Sequence, residues 1–254
     1  MMLMMIRNIQ TSRSAKHWVC FFLALQCAMA GQIAHAGSYG INPVKLTLSG
    51  QDSTQVMTVR NDGAEAAVMQ VELAAWSAGA QDIYTPTRDL LANPPIFTLP
   101  AGAEQIIRVG LRRAPDGQRE LAYRMFLQEV PPPIKFGTVG LQVALRISVP
   151  IFVPPPHPVK PVLRWQATRI AEHTLKIGVT NTGDGHDHIA AYKIYRAGSD
   201  APFLSQKLFA YLLPGETHYW TLTTDVMPNS GEPLRVWANT ERGAVLGDIV
   251  MDKP

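Results

Sequence analysis

The amino-acid sequence predicts an all-β protein built from two immunoglobulin-like β-sandwich domains. Short stretches in which apolar and polar residues alternate recur along the chain, with Gly, Pro and Asn between them. No long stretch shows the period of an amphipathic helix, about 3.6 residues. A proline-rich segment over residues 153–161 separates two groups of alternating stretches. About seven short strands with turn residues between them are typical of one immunoglobulin-like sandwich, so two groups predict two sandwiches.

The first 36 residues are predicted to be a secretory signal peptide. Three basic residues and no acidic one precede an apolar run over residues 18–30, and the small residues Ala34 and Ala36 follow it. This order is typical of a signal peptide, here cleaved near Ala36. An uncleaved membrane anchor is the alternative, but the apolar run is shorter than the about 20 residues that span a bilayer. We therefore predict an exported protein that is not inserted in a membrane.

Removal of this leader changes the composition of the chain. Cys20 and Cys27 both lie in it, so the remaining 218 of the 254 residues contain no cysteine. Disulfide bonds and thiolate chemistry are thereby excluded from the mature chain. The leader also contains three of the 23 basic residues and none of the 20 acidic ones, which leaves a net charge near zero. A neutral chain argues against bulk electrostatic binding of nucleic acid.

The proline-rich segment marks the boundary between the two predicted domains. Five of the nine residues from Val153 to Pro161 are proline, a composition that favours an extended, semi-rigid spacer. We predict an N-terminal domain over residues 37–154 and a C-terminal domain over residues 155–254. Each has about the length that one sandwich requires.

Alternation predicts the strands of each domain in order. In the first domain they are residues 44–48, 55–60, 68–76, 96–99, 105–111, 123–130 and 141–149. In the second they are residues 163–170, 174–179, 189–195, 209–213, 219–223, 234–239 and 244–250. Asn61-Asp62-Gly63 and Asn181-Thr182-Gly183 are strong turn signals between strands. A short helical turn near Asp89 is the one helical element that the sequence suggests.

The most regular alternation lies in residues 141–149. Polar or small residues alternate there with the apolar residues Leu141, Val143, Leu145, Ile147 and Val149. Pro150 is expected to end the regular pairing, because it has no N–H to donate to a neighbouring strand. The stretch is either an ordinary core strand or an edge strand whose apolar side chains bind another protein. Periodicity alone does not decide between these two interpretations.

Two groups of motifs resemble a known family. The first is Pro94-Pro95-Ile96-Phe97-Thr98-Leu99-Pro100-Ala101-Gly102 followed by Ile107-Arg108-Val109, and the second is the strand around Tyr123 with its exit Glu129-Val130-Pro131-Pro132. Together with the leader and the two-sandwich layout, they resemble the PapD-like periplasmic chaperones of the chaperone–usher pathway. The resemblance covers most of the mature chain. It implies a periplasmic location, two domains in an L- or boomerang-shaped arrangement, no enzymatic activity and no cofactor.

The resemblance also implies partners and a binding mode. These chaperones bind pilus subunits, which are sandwiches that lack their last strand, and deliver them to an outer-membrane usher. The last strand of the chaperone's first domain fills the subunit groove by strand addition. The matching strand here is residues 141–149, so the implied binding set is Leu141, Val143, Leu145, Ile147 and Val149. The segment of residues 136–139 before it is a candidate for self-association of the free chaperone.

The family anchors the subunit's C-terminal carboxylate with two basic residues. Lys45 falls at the place of the first, where the family commonly has Arg, although a solvated strand lysine is the alternative interpretation. Pro150 falls at the place of the second, usually Lys, so Arg146 is the candidate substitute. This departure suggests a divergent branch of the family that is associated with archaic-type pili.

Two acidic residues match a cluster of ion pairs between the family's domains. Glu120 and Glu241 fall at its acidic positions, whereas Pro154 stands where the basic partner is expected. Solvated surface carboxylates are the alternative interpretation of both residues. The resemblance therefore implies an interdomain cluster that is incomplete or rebuilt in this chain.

Other functional classes have weaker support in the sequence. Residues 184–188 carry two carboxylates and two imidazoles, but zinc needs three or four converging ligands, usually from more than one element. No metal site and no catalytic residue are predicted, because nucleophile elbows and phosphate-binding loops are absent from the sequence. The alternative function is a secreted structural or adhesive two-sandwich protein. A pilus subunit would show an N-terminal donor extension and one incomplete sandwich, whereas both sandwiches here look complete.

Overall fold

The computed structural model of the protein describes residues 38–79, 82–133, 143–229 and 231–252. The predicted signal peptide, Leu141 of the predicted binding strand and residues 136–139 before it lie outside the described residues. The described part of the chain consists of strands, turns and irregular segments, which confirms the all-β prediction. No helix in that part is long and apolar enough to cross a membrane.

Over the described residues, ten strands form the first sandwich and seven form the second. Those of the first are β1 (Tyr39–Asn42), β2 (Leu46–Thr47), β3 (Thr54–Asn61), β4 (Ala67–Ser77), β5 (Ile83–Pro86), β6 (Leu90–Asn93), β7 (Ile96–Leu99), β8 (Glu104–Leu111), β9 (Leu121–Val130) and β10 (Arg146–Val153). One sheet has the order β1-β3-β8-β6, and the other has the order β2-β10-β9-β4-β5, with β7 also paired to β4. Alternate residues of both sheets form the core, which includes Met57, Met69, Ile107, Met125 and Ile151.

The strands of the second sandwich follow those of the first in the chain. They are β11 (Leu163–Ala171), β12 (Thr174–Asn181), β13 (Asp187–Arg196), β14 (Leu204–Leu212), β15 (Thr217–Thr223), β16 (Leu234–Thr240) and β17 (Gly243–Asp252). They pair in one continuous order, β14-β13-β16-β17-β11-β12-β15. Its core includes Trp165, Ile177, Tyr192, Ile194 and Val236.

The predicted strands of the second domain all exist. In the first domain β1, β5 and β6 were not predicted, and the predicted strand over residues 44–48 is reduced to Leu46–Thr47. The prediction of a strand over residues 141–149 is wrong in its bounds, because β10 begins at Arg146, after Val143 and Leu145, and runs on to Val153. The helical turn near Asp89 is wrong, because Leu90–Asn93 pairs with β8. Leu90 and Ala92 point into the core, so tertiary pairing overrides the weak local preference of this four-residue segment.

β10 continues through Pro150, contrary to the expectation that this proline ends the pairing. Leu145 O accepts a hydrogen bond from Glu129 N at 2.9 Å, so the backbone groups of odd-numbered residues face β9. On the other side, Phe152 O accepts from Leu48 N at 2.9 Å, so even-numbered residues face β2. The missing N–H of Pro150 therefore lies on the side away from β9, where it costs no bond of the β9 ladder.

The Asn-x-Gly turn signals form turns in both domains, each with a buried Asn side chain and an exposed middle residue. The Asn61 and Asn181 side chains donate to backbone carbonyls, Asn181 Nδ2 to Gly185 O at 2.8 Å and to Leu212 O at 3.0 Å. In the second domain this turn also binds the proline-rich linker, since Lys160 N donates to Asp184 Oδ1 at 2.7 Å. A Cβ added to Gly183 would lie 2.1 Å from Lys160 O, so the linker packs directly on the turn.

We expect Gly183→Ala to lower the free energy of unfolding by about 1–3 kcal/mol, because the new methyl group overpacks the contact with the linker backbone. Urea unfolding of the purified protein measures the change. Gly117→Ala is the matched control, since a Cβ there meets nothing within 4 Å. Equal stability of the two variants would contradict close packing of the linker on the turn.

Candidate functional site

The N-terminal half of β10 forms an open sheet edge. β10 lies between β9 and β2, but β2 pairs only with Ile151 and Phe152. Among the described strands, none pairs with Arg146–Val149 on the side away from β9. The backbone groups of Arg146 and Ser148 face this side, and an unpaired row of such groups is a template for strand addition.

Four apolar side chains at alternate positions become more exposed toward the N-terminal end of β10 and the residues before it. We call them the apolar stripe: Val149, Ile147, Leu145 and Val143. Val149 is 2% exposed, whereas Leu145 is 37% and Val143 is 69% exposed, with Ile147 half-buried between them. The exposed fraction of these side chains thus rises from β10 toward the residues before it. Val143 and Leu145, which directly precede β10, are therefore apolar side chains in water next to its open edge.

Val149, a member of the predicted binding set, is buried. Val149 packs in the core of the first sandwich, and Ile147 packs partly against the same core. Inserting Val149 into a partner would remove it from that core and leave a cavity. Of the described members of the predicted set, Val143 and Leu145 are the ones available to a partner.

The two predicted carboxylate anchors lie apart. Lys45 Nζ is 2.9 Å from Glu241 Oε2, and the pairing of Leu46 with Ile151 places Lys45 beside Pro150. Arg146 lies four residues from Pro150, which is about 13 Å along the strand. Its guanidinium is 3.2 Å from Glu72 Oε2 and 4.0 Å from the centre of the Phe126 ring. The structure therefore does not bring Lys45 and Arg146 together at one carboxylate.

A buried arginine that sequence reasoning missed lies next to Pro150. Arg124 of β9 is directly opposite Pro150 in the sheet register. It is 9% exposed, and its guanidinium lies 3.8 Å from the Trp76 ring centre and 5.2 Å from that of Tyr211. Among the described residues, its Nε has no hydrogen-bond partner. The only sequence signal was a charged residue inside a strand, and the register was needed to place it beside Pro150.

Glu120 and Glu241 both contact His186, which belongs to the segment considered for a metal. His186 Nδ1 contacts Glu120 Oε1, and His186 Nε2 lies 3.1 Å from Glu241 Oε1 in an ion pair. The imidazole also stacks on Phe152 of β10, with 3.4 Å between ring centres and 4° between planes. His186 of the second sandwich thus contacts one carboxylate from each sandwich. Pro154, which stands where the basic partner was expected, offers no cation.

The pKa values in this cluster favour the charged pairs. Burial lowers the pKa of His186, but the Glu120 and Glu241 carboxylates outweigh burial and raise it above its ordinary value. The interaction with His186 lowers the pKa of Glu241 to about 2, opposed by burial and assisted by Lys45. Glu241 thus contacts both the His186 imidazole and the Lys45 ammonium.

The side chains of residues 184–188 that could bind a metal contact different partners. Asp184 binds the linker at Lys160 N, and His186 binds the two glutamates. His188 packs on Phe209 and Tyr211, with ring centres 4.2 and 4.8 Å apart. Over the described ranges no group of three or more His, Cys, Asp or Glu side chains converges on a metal position.

Comparison with known proteins assigns the family. Residues 38–158 match the sequence model described as pili and flagellar-assembly chaperone, PapD N-terminal domain. This part of the chain therefore belongs to the PapD-like family of pilus-assembly chaperones. This membership gives it a chaperone role in pilus assembly. No curated protein sequence matches the chain.

Solved structures share the two-sandwich fold. One is a chain of the chaperone–tip adhesion subunit pre-assembly complex CsuC–CsuE, from the archaic Csu pili of Acinetobacter baumannii. Its sequence identity is 20% and its TM-score is 0.62, and the match covers 85% of this chain and 99% of that chain. Another is the SafA pilin–SafB chaperone complex of Salmonella enterica, with 17% identity, 85% and 98% coverage and a TM-score of 0.57. The E. coli chaperone DraB has 17% identity, 85% and 97% coverage and a TM-score of 0.55. At these identities the likeness shows the fold.

We expect His186→Gln to lower the free energy of unfolding at pH 6 by about 3 kcal/mol, because buried Glu120 loses its partner. Folding raises the pKa of His186, so its stabilisation is complete below the pKa of an unfolded imidazole, about 6.5. It is lost as the pH rises through the higher folded pKa. Urea unfolding from about pH 6 to pH 9 should therefore show the difference from the native chain shrinking.

His173→Gln is the control, because that imidazole is exposed beside Glu172 at 3.9 Å and lies outside the cluster. Its effect on stability should be small at every pH. A difference between the native chain and His186→Gln that stays constant with pH would contradict a charged His186.

Proposed function

We propose that this protein is a periplasmic chaperone that holds incomplete pilus subunits by donor-strand complementation and delivers them to an outer-membrane usher. The observation that carries the proposal is the exposure of the apolar side chains of Val143 and Leu145 directly before β10, a strand whose outer edge is open from Arg146 to Val149. Backbone groups of the same edge would pair with a subunit strand, while the two side chains fill its groove.

The energetics suit a stable but displaceable complex. Full burial of each large apolar side chain contributes roughly 1.5–3 kcal/mol. Val143, Leu145 and Leu141, the next member of the alternation, would contribute about 5–9 kcal/mol before association costs of several kcal/mol. Backbone pairing adds to this. Folding of the released subunit would drive the exchange, so the proposal needs no enzymatic step and no cofactor.

The class of partner follows from the relatives. Two of the similar solved structures are complexes with a tip adhesion subunit and with a pilin. Pilus subunits are therefore the partners that we propose for this chain. We further propose that residues 1–36 direct export and are cleaved near Ala36, and the mass of the chain recovered from periplasm tests this cleavage.

We also propose that Lys45 and Arg124, rather than Lys45 and Arg146, anchor the subunit's C-terminal carboxylate. Lys45, Pro150 and Arg124 lie side by side on three neighbouring strands. The guanidinium of Arg124 is buried and stacks on Trp76. A guanidinium can form two parallel hydrogen bonds to a carboxylate, whereas a lysine ammonium acts as a point charge. The subunit carboxylate would replace Glu241 on Lys45, and Glu241 would keep its pair with His186.

We expect the double variant Val143→Asp/Leu145→Asp to lose subunit capture while remaining folded, because ionised carboxylates do not enter an apolar groove without a partner. The measurement is copurification from periplasm with a tagged chain, followed by mass spectrometry of the subunits. Val245→Asp/Leu246→Asp is the matched control, since these neighbours are 38% and 74% exposed in the second sandwich.

The control should capture subunits as the native chain does. Capture by the Val143→Asp/Leu145→Asp chain would contradict the proposal, and so would its unfolding, which would make the strand ordinary core. If neither the native chain nor the control recovers a pilus subunit, a secreted structural protein becomes the better account.

We expect Arg124→Gln and Lys45→Gln each to weaken subunit binding by about tenfold or more, since a hydrogen bond to a charged group contributes roughly 1.5–3 kcal/mol. Arg146→Gln should change binding little. The measurement is the affinity of each purified variant for the subunit recovered above. A subunit extended beyond its C-terminal residue should bind native and Arg124→Gln chains equally, and an equal loss with both subunits would argue against a carboxylate anchor.

A further inference from the structure

An aromatic cluster joins the two sandwiches beside Arg124. Tyr211 of β14 packs edge-on against Trp76 of β4, with ring centres 5.6 Å apart. It also lies 5.8 Å from Phe152 of β10. The first sandwich thus covers Tyr211, and the Arg124 guanidinium lies 3.8 Å from the Trp76 ring centre and 5.2 Å from the Tyr211 ring centre.

The same face of β14 continues into solvent at Phe209. Phe209 lies two residues before Tyr211, and its ring packs on Tyr211 at 5.7 Å and on His188 at 4.2 Å. It is nevertheless 77% exposed. The ring therefore extends the aromatic cluster past the point where the first sandwich covers it.

A β-bulge sets the direction of this side chain. Ile189 pairs with Ala210, whereas Ala191 pairs with Lys207, so Leu208 and Phe209 together oppose Ala190. Leu208 packs on the core while Phe209 points outward. Bulges re-aim side chains and occur preferentially near functional sites.

The exposed ring lies close to both proposed carboxylate anchors. The distances from Arg124 to Tyr211 and from Tyr211 to Phe209 place the Phe209 ring no more than about 11 Å from the guanidinium, a span of about three extended residues. Lys45 reaches the same cluster through Glu241, since Glu241 lies 2.9 Å from Lys45 Nζ and 3.1 Å from His186, whose ring centre is 6.1 Å from that of Tyr211.

We propose that Phe209, supported by Tyr211 and His188, is a second contact surface for the pilus subunit, and that it binds apolar side chains just before the subunit's C-terminal carboxylate. The inference rests on the proposed function and names the part of the subunit that the second sandwich binds. The cationic anchors would bind the subunit's C-terminal carboxylate. The apolar ring lies within the length of about three residues from Arg124, so it would bind apolar side chains just before that carboxylate.

The test compares two equally exposed apolar side chains of the second sandwich. Phe209 is 77% and Leu246 is 74% exposed, so Phe209→Ser and Leu246→Ser should both leave the fold and thermal stability unchanged. The probe is the pilus subunit recovered with the native chain, transferred by competition between native and variant chaperones. We expect Phe209→Ser to bind it about tenfold more weakly, Phe209→Tyr to restore most of the affinity, and Leu246→Ser to match the native chain.

Native affinity in Phe209→Ser would overturn the inference, as would equal losses in Phe209→Ser and Leu246→Ser. A change in self-association of the free Phe209→Ser chain without a change in subunit affinity would also overturn it, in favour of a second copy as the occupant. The Val143→Asp/Leu145→Asp variant distinguishes failure of this inference from failure of the proposed function. If Val143→Asp/Leu145→Asp loses capture while Phe209→Ser keeps it, the contact surface fails and the proposed function stands.

Discussion

The register of β10 against β9 fixes which side chains of β10 face the core and which backbone groups face the open edge. Arg146 pairs with Gln128, and the same register places Pro150 opposite Arg124. Side chains of odd-numbered residues therefore face the core, and backbone groups of even-numbered residues face the open edge. A shift by one residue would bury Arg146 and Ser148 and expose the core residues of the strand. The exposed stripe, the tolerance of Pro150 and the position of Arg124 all follow from this single pairing.

The open edge is short, which limits the hazard that an unpaired apolar strand creates. β2 pairs with β10 at Ile151 and Phe152, and Pro150 removes one outward donor. Arg146 places a charge on the opposite face of the strand, where it pairs with Glu72. Charges and prolines are the usual means by which sheet edges avoid pairing with unintended chains. The edge available to a partner is therefore confined to Ser148 and the residues before it.

His186 links the two sandwiches where a cation is required and Pro154 cannot supply one. The carboxylates of Glu120 and Glu241 come from different sandwiches, and one imidazole contacts both. Stacking on Phe152 connects this cluster to the C-terminal end of β10. Since Glu241 also pairs with Lys45, the interdomain cluster and the proposed carboxylate anchor share a residue. A partner's carboxylate that binds Lys45 would compete with Glu241, so the two sites are coupled through it.

The fold class and most strands could be predicted from the sequence, because alternation and turn residues are local properties. Alternation also pointed to Val143 and Leu145 as apolar side chains on one face, and family resemblance pointed to Glu120 and Glu241. The burial of Val149, the strand at Leu90–Asn93 and the position of Arg124 beside Pro150 became visible only in the folded chain. The same holds for His186, which contacts both glutamates where the resemblance implied a residue after β10. Burial, register and contacts between domains join residues that are distant in the chain, and no local pattern carries that information.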